Sequence, residues 1–263
     1  MHGDYTHFCL TCGKIFLANR LKTRDLSNTI ALIVNGSVDT TTFCASTLLH
    51  NNASVIICGK EGVYTNLSKF EHFESWKPKI FFIATENINV INSHKIFTIL
   101  QKLGHLDFLI VGDEVLQMEK KSLNIETMDQ HDLENIIFDF SVTPALFVQN
   151  IIPFLKKSLI TPFLIFQNGE RGICDSKSAH TNIIKDMASA SLSMMVNGIS
   201  KQQLTTETGK KFATQIISIG NNIIQHNVPS YDSIDIAYMI LHPILCDLKS
   251  RLKTVSFYNT FSY

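Results

Sequence analysis

Short apolar runs that alternate with helix-like segments are the feature that most constrains how this 263-residue chain can fold. A continuous apolar run bounded by turn residues is typical of a strand buried on both faces. Strands that alternate with helices predict right-handed βαβ units and a parallel sheet. The predicted strands cover 30–34, 54–58, 79–84, 108–111, 162–167, 212–219 and 255–258.

Helical spacing of apolar residues predicts the segments between these strands. Helices are expected over 41–51, 90–103, 133–157, 180–200 and 234–248. In the third of them we expect Pro144 and Pro153 to bend or divide the helix, and in the fourth we expect Met194 and Met195 on the buried side. The fold class is therefore α/β, a doubly wound parallel sheet of about seven strands in three α/β/α layers. Residues 27–263 form this domain, and residues 1–26 form a separate cysteine-containing N-terminal arm.

Charge and cysteine usage exclude several classes of protein. Lys plus Arg equals Asp plus Glu, at 23 each, so bulk attraction to nucleic acid or to an anionic membrane is not expected. No apolar run reaches the ~18 residues that span a bilayer, and residues 1–8 lack the pattern of a secretory signal. The six cysteines are mostly scattered, which is typical of reduced thiols in a cytoplasmic protein.

Several segments carry a family resemblance. The order of strands and helices, "LDFLIVGDE" at 106–114 and "LIFQNGERG" at 164–172 resemble the short-chain dehydrogenase/reductase family. Residues 7–38, 70–87, 179–195 and 231–244 are similar to a branch of it with a Cys-rich segment ahead of the dehydrogenase domain. The similarity runs from about Phe8 to the C-terminus. It implies a Rossmann-type domain, an NAD or NADP cofactor, and pairing of subunits through the two long helices, as a homodimer or with a related subunit.

The family's phosphate-binding turn is altered in this chain. Members carry Thr-Gly-x-x-x-Gly-x-Gly after the first strand, and the resemblance places the three glycines at Asn35, Asp39 and Thr41. We expect side chains there to occupy space that the phosphates need. Gly36 is kept but is not one of the three. Asp39 puts a negative charge near a helix N-terminus, where it stabilises the helix but repels a pyrophosphate. Glycine is scarce overall, 12 of 263 residues.

One residue after the second strand bears on cofactor choice. Lys60 stands where the family selects between the two nicotinamide cofactors, and a basic residue there favours the phosphorylated one. A solvated surface lysine is the alternative interpretation. At the end of the fourth strand, Gly112-Asp113-Glu114 follows Val111 in place of the family's Asn-Asn-Ala-Gly.

The family's catalytic set is also mostly replaced. Its asparagine, serine, tyrosine and lysine fall on Phe140, Asn168, Thr181 and Lys185. Only the lysine remains, although the related branch also lacks the tyrosine at this place. A threonine hydroxyl has no accessible acidic pKa, so it cannot replace the tyrosine as general acid. Asn168 could still donate a hydrogen bond to a carbonyl.

The N-terminal arm holds a possible half of a zinc site. Cys9 and Cys12 have the CxxC spacing of a zinc ligand pair, and His2 and His7 could complete the set. Two alternatives stand beside this one: a pair of free cysteines, or an inherited fragment that no longer binds metal.

Three hypotheses for function follow. The first is a catalytically degenerate dehydrogenase-like protein, or pseudoenzyme, with a structural or binding role and no bound cofactor. The second is a working NAD(P)-dependent oxidoreductase with a rearranged site built on Lys185 with Thr181 or Asn168. The third is an interaction module that uses the Cys9/Cys12 arm.

Overall fold

The computed structural model describes residues 24–85, 90–112, 129–131, 134, 138, 142–168, 183–218 and 233–245. Strands and helices alternate along these ranges, as the apolar runs predict. In chain order they are β1 (Ile30–Val34), α1 (Val38–His50), β2 (Ser54–Gly59), α2 (Glu61–Leu67), α3 (Phe73–Trp76), β3 (Ile80–Ala84), α4 (Val90–Leu103), β4 (Phe108–Val111), α5 (Thr143–Lys156), β5 (Phe163–Asn168), α6 (Ile183–Lys201), β6 (Ala213–Ser218) and α7 (Ser233–Leu245).

The described strands form one parallel sheet in the order β3-β2-β1-β4-β5-β6. This order confirms the doubly wound architecture. The chain winds outwards in one direction from β1 and then in the other from β4, so the switch in direction lies between these two strands. In open α/β sheets the carboxyl end of that switch is where ligands bind. The strand expected at 255–258 lies outside the described residues.

Helices cover both faces of the sheet, which confirms the three layers. On one face α1, α2, α3 and α7 pack on Ile33 and Ile110, and Trp76 is buried in the same cluster. On the other face α4, α5 and α6 pack on Leu32 and Leu109. The central strands β1 and β4 are buried on both faces, which explains why their runs are apolar throughout and do not alternate.

A buried carboxylate joins the amino-terminal ends of the central strands. Asp107, just before β4, is 2% exposed. Its Oδ2 accepts a hydrogen bond from the backbone N–H of Ile30 at 2.8 Å, and its Oδ1 accepts one from the hydroxyl of Ser158, before β5. The Nε2 atom of His105 lies 3.2 Å from Oδ2. The charge is thus compensated by donors from three segments, as burial requires.

The structure differs from the predicted helices in two details. Pro153 does not divide its helix, because α5 continues through it to Lys156; Pro144 instead lies in the first turn, where a missing N–H costs little. Pro153 is exposed, so its ring lies on the solvent side of the helix. Met194 is 75% exposed, whereas Met195 packs against the core. Adjacent helical residues point about 100° apart, and here only Met195 lies on the side of α6 that packs against the sheet.

Candidate functional site

The turn between β1 and α1 lies at the carboxyl end of the switch between β1 and β4. Asn35 has a φ of 54°, a left-handed conformation that asparagine tolerates better than most residues. Ser37 is the N-cap of α1, and its Oγ accepts a hydrogen bond from the backbone N–H of Thr40 at 3.3 Å. Asn35 therefore keeps a backbone conformation usual for glycine, and a side chain of the chain itself satisfies one N–H of the helix start.

Two glycines allow this turn to lie against the end of β4. A Cβ atom on Gly112 would lie 2.3 Å from Cα of Gly36 and 2.5 Å from the carbonyl oxygen of Asn35. A Cβ on Gly36 would lie 2.2 Å from Oγ1 of Thr41. The N–H of Gly112 donates to the carbonyl of Val34 at 2.7 Å. The turn is thus packed against the end of β4 at Gly112 and against the first turns of α1 at Thr41.

Asp39 and Thr41, which the resemblance places at two family glycines, point in different directions. Asp39 is exposed in the first turn of α1. Thr41 is 3% exposed and packs inward against Gly36. The expectation that both side chains take phosphate space stays a prediction. Asp39 alone presents its side chain to solvent at the helix start, and that side chain is a carboxylate.

Some buried side-chain oxygens of the described residues have no hydrogen-bond partner. Among the described residues they are Oδ1 of Asn35, Oγ1 of Thr41, and Oε1 of Gln167 and Gln215. Gln167 is in register with Ile217, and Gln215 is in register with Ile165. Both isoleucines belong to the core cluster under α1 and α7, so the two glutamines are on that face of the sheet.

Lys60 stands close to the turn. It follows Gly59, the last residue of β2, and is the half-buried N-cap residue of α2. The starts of α1 and α2 are in contact, because a Cβ on Gly62 would lie 3.3 Å from Cγ1 of Val38. Lys60 is therefore beside the helix start that carries Asp39, at the place that the resemblance implies.

Buried thiols flank the site but are unreactive. Burial raises the pKa of Cys58 to about 11, an effect that the charge of Lys95 opposes. Burial also raises the pKa of Cys44, which contacts the carbonyl of Ala237 at 4.0 Å. Both cysteines are free, as the scattered pattern predicts. Because a thiolate is the nucleophilic form, neither suits nucleophilic chemistry near neutral pH.

The remaining predicted catalytic positions are described only in part. Asn168 is the last residue of β5 and is in register with Ser218 of β6. Lys185 lies in the first turn of α6. The ends of β5 and β6 and the start of α6 all belong to the carboxyl side of the sheet. Thr181 and Phe140 lie outside the described residues.

The metal prediction concerns residues beyond the described part of the chain, since Cys9 and Cys12 lie outside it. Within the described ranges, no group of three or more His, Cys, Asp or Glu side chains could hold a metal ion. Nor does any helix in those ranges have the length and apolar character needed to cross a membrane.

The comparison with solved structures points to one kind of fold. A Pseudomonas syringae protein classed as a short-chain dehydrogenase superposes with a TM-score of 0.63 at 13% identity, covering 89% of this chain and 95% of that one. A short-chain dehydrogenase from Salmonella enterica serovar Typhi gives 0.59 at 14% identity, with 90% and 97% covered. A carbonyl reductase from Pseudomonas aeruginosa in complex with NADP gives 0.61 at 11% identity, with 82% and 90% covered.

These likenesses establish the fold: the chain has the Rossmann-like α/β fold of the short-chain dehydrogenases/reductases. No protein-family model matches the sequence, and no curated protein sequence matches it either. Likeness in fold with such low identity leaves the chemistry to be argued from the site.

Proposed function

We propose that this chain is a catalytically degenerate short-chain dehydrogenase/reductase-like protein that acts as a structural or binding partner and does not transfer hydride. The observation that carries the proposal is the start of α1. There the exposed carboxylate of Asp39 stands at the helix N-terminus, which is the part of this fold that receives a cofactor pyrophosphate.

Electrostatics at the helix start support the proposal. The N-terminal end of a helix attracts anions through its unpaired N–H groups and dipole. In this chain Ser37 satisfies one of those N–H groups, and Asp39 places a negative charge beside the others. A pyrophosphate would have to approach that charge closely.

Calorimetric titration of the chain with NADPH and with NADH tests the proposal. We expect no binding in the micromolar range by the wild-type chain. Asp39→Gly removes the carboxylate and restores the family residue, so any residual affinity should increase in this variant; Glu61→Gly, which removes an exposed carboxylate from the first turn of α2, is the matched control. Micromolar binding by the wild type would sink the proposal.

An NADP-dependent oxidoreductase with a rearranged site is the alternative. It is favoured by Lys60 at the end of β2 and by Asn168 and Lys185 on the carboxyl side of the sheet. On this alternative NADPH would bind more tightly than NADH, and Lys60→Ala would abolish the difference. The two proposals therefore make opposite predictions for the same titration.

We further propose that the partner is a second copy of this chain or a related subunit, bound through α5 and α6. Ahead of Lys156 and Lys201 at their ends, the exposed positions described on the two helices are uncharged and partly apolar. On α5 and its N-cap they include Val142 and Leu146, 37% and 48% exposed, and on α6 they include Ala190 and Met194. Depletion of charge with exposed apolar side chains is typical of interface cores.

We also propose a cytoplasmic location. The free state of Cys44 and Cys58 supports it, since a reducing compartment keeps thiols unpaired.

A further inference from the structure

Five exposed lysines lie together at the amino-terminal edge of the sheet, beside β5 and β6. Lys156 and Lys157 are at the end of α5, Lys201 is the last residue of α6, and Lys210 and Lys211 precede β6. The face is opposite to the carboxyl edge that carries the candidate cofactor site. We name these five residues, together with Leu159, the basic corner.

Backbone contacts fix the segments of the basic corner relative to one another. The N–H of Glu207 donates to the carbonyl of Lys156 at 2.8 Å, and the N–H of Ala213 donates to the carbonyl of Pro162 at 2.9 Å. The ammonium group of Lys210 donates to the carbonyl of Leu159. The loop between α6 and β6 is thus held against the loop between α5 and β5, and the lysines of both segments form one surface.

The positive charge of the basic corner is not neutralised locally. Within the part of the chain that the structure describes, none of the five lysines forms a salt bridge. Glu207 is the one acidic residue in 156–162 and 201–212. The whole chain is neutral, so this corner is a local excess of charge that a negatively charged partner would complement.

An apolar side chain projects from the same surface. Leu159 is 71% exposed, and it stands between Ser158 and Ile160. Oγ of Ser158 accepts a hydrogen bond from the N–H of Ile160 at 3.2 Å and donates to the buried carboxylate of Asp107. Hydrogen bonds to the core therefore hold the bend, and Leu159 is kept in solvent by a fixed backbone.

We propose that the basic corner binds the surface of an anionic lipid bilayer, with the lysines at the headgroups and Leu159 inserted between them. Clusters of four to eight basic residues are the size that anionic headgroups recruit. An exposed leucine among them can insert between the headgroups and strengthen membrane binding. It would not strengthen binding to a nucleic acid, whose affinity comes from phosphate contacts. The net charge of the whole chain does not predict this surface, because a chain that is neutral overall can still carry a local excess of positive charge.

Sedimentation of the full chain with lipid vesicles tests the proposal. We expect binding to vesicles of phosphatidylcholine mixed with phosphatidylserine, no binding to phosphatidylcholine alone, and loss of binding in high salt. Lys157→Gln combined with Lys211→Gln should weaken binding roughly 30-fold, at about 1 kcal/mol per lysine near the surface. Lys69→Gln combined with Lys95→Gln removes the same charge from exposed lysines elsewhere and should leave binding nearly unchanged.

A second variant separates a membrane from other polyanions. Leu159→Asn keeps every lysine, and we expect it to weaken vesicle binding while leaving binding to heparin unchanged. If Leu159→Asn leaves vesicle binding intact, or if the two lysine pairs weaken it equally, the proposal is wrong. Tight binding to heparin or to short duplex DNA without any vesicle binding would also overturn it.

Discussion

At the scale of single residues, Gly112 has no room for a side chain, because the backbone of Gly36 occupies the position of its Cβ at 2.3 Å. Gly112→Ala must push the β1–α1 turn away from β4, and backbone cannot move aside as a flexible side chain can. We expect a loss of about 2–3 kcal/mol in the free energy of unfolding, measured with urea.

Gly198 provides the matched control. It lies in α6, and a Cβ atom added there would meet nothing within 4 Å, so Gly198→Ala should raise the free energy of unfolding by about 0.5–1 kcal/mol through helix propensity. Equal effects of the two substitutions would contradict the close packing described at Gly112. The sequence marks Gly112 only as a residue that ends a strand, since the atoms that crowd it come from a segment far away in the chain.

At the scale of elements, Asp107 connects the starts of β1 and β4 to the loop before β5. Asp107→Ala leaves the N–H of Ile30 and the hydroxyl of Ser158 buried without their acceptor. We expect a loss of about 3 kcal/mol in unfolding free energy. Asp25→Ala removes an exposed carboxylate bonded to nearby Ser27, and its loss in unfolding free energy should be much smaller than that of Asp107→Ala. Similar losses for the two variants would mean that the hydrogen bonds of Asp107 between the strands do not stabilise the fold.

Helix α7 makes stability depend on pH through His242. Burial lowers the pKa of this imidazole below its usual 6.5, so the folded state binds fewer protons than the unfolded state over that range. The free energy of unfolding must therefore decrease as pH falls below about 6.5. Thermal melts of His242→Gln should show a shallower acid decline than the wild type. Parallel declines would show that other groups account for it.

The bounds of the helices and strands also show how much of the secondary structure the local sequence pattern predicts. The strand at 30–34 and the helix at 90–103 have the predicted bounds, because apolar runs and helical spacing are local properties of the sequence. Pro153 does not divide α5, because a proline restricts the backbone but does not by itself end a helix whose remaining turns are packed. Phe147, Ile151 and Leu155 bury one side of α5, and that packing outweighs one missing hydrogen bond.

At the scale of the whole molecule, the uncharged faces of α5 and α6 predict the oligomeric state. Light scattering during gel filtration should give twice the mass of one chain. Leu146→Lys combined with Met194→Lys introduces charge where a partner would pack, and we expect a monomer. Leu159→Lys places the same charge on an exposed leucine of the basic corner and should leave the dimer intact. A wild-type monomer at all concentrations would refute pairing.

The order of strands and helices and the parallel sheet can be read along the chain, because each depends on neighbouring residues. Folding in three dimensions was needed to establish that Thr41 points inward while Asp39 faces solvent, and that Gly36 and Gly112 touch. It also gathered the five lysines of the basic corner into one surface. Net charge and residue spacing are properties of the sequence alone, whereas contacts and the local electrostatic potential depend on which distant segments the fold brings together.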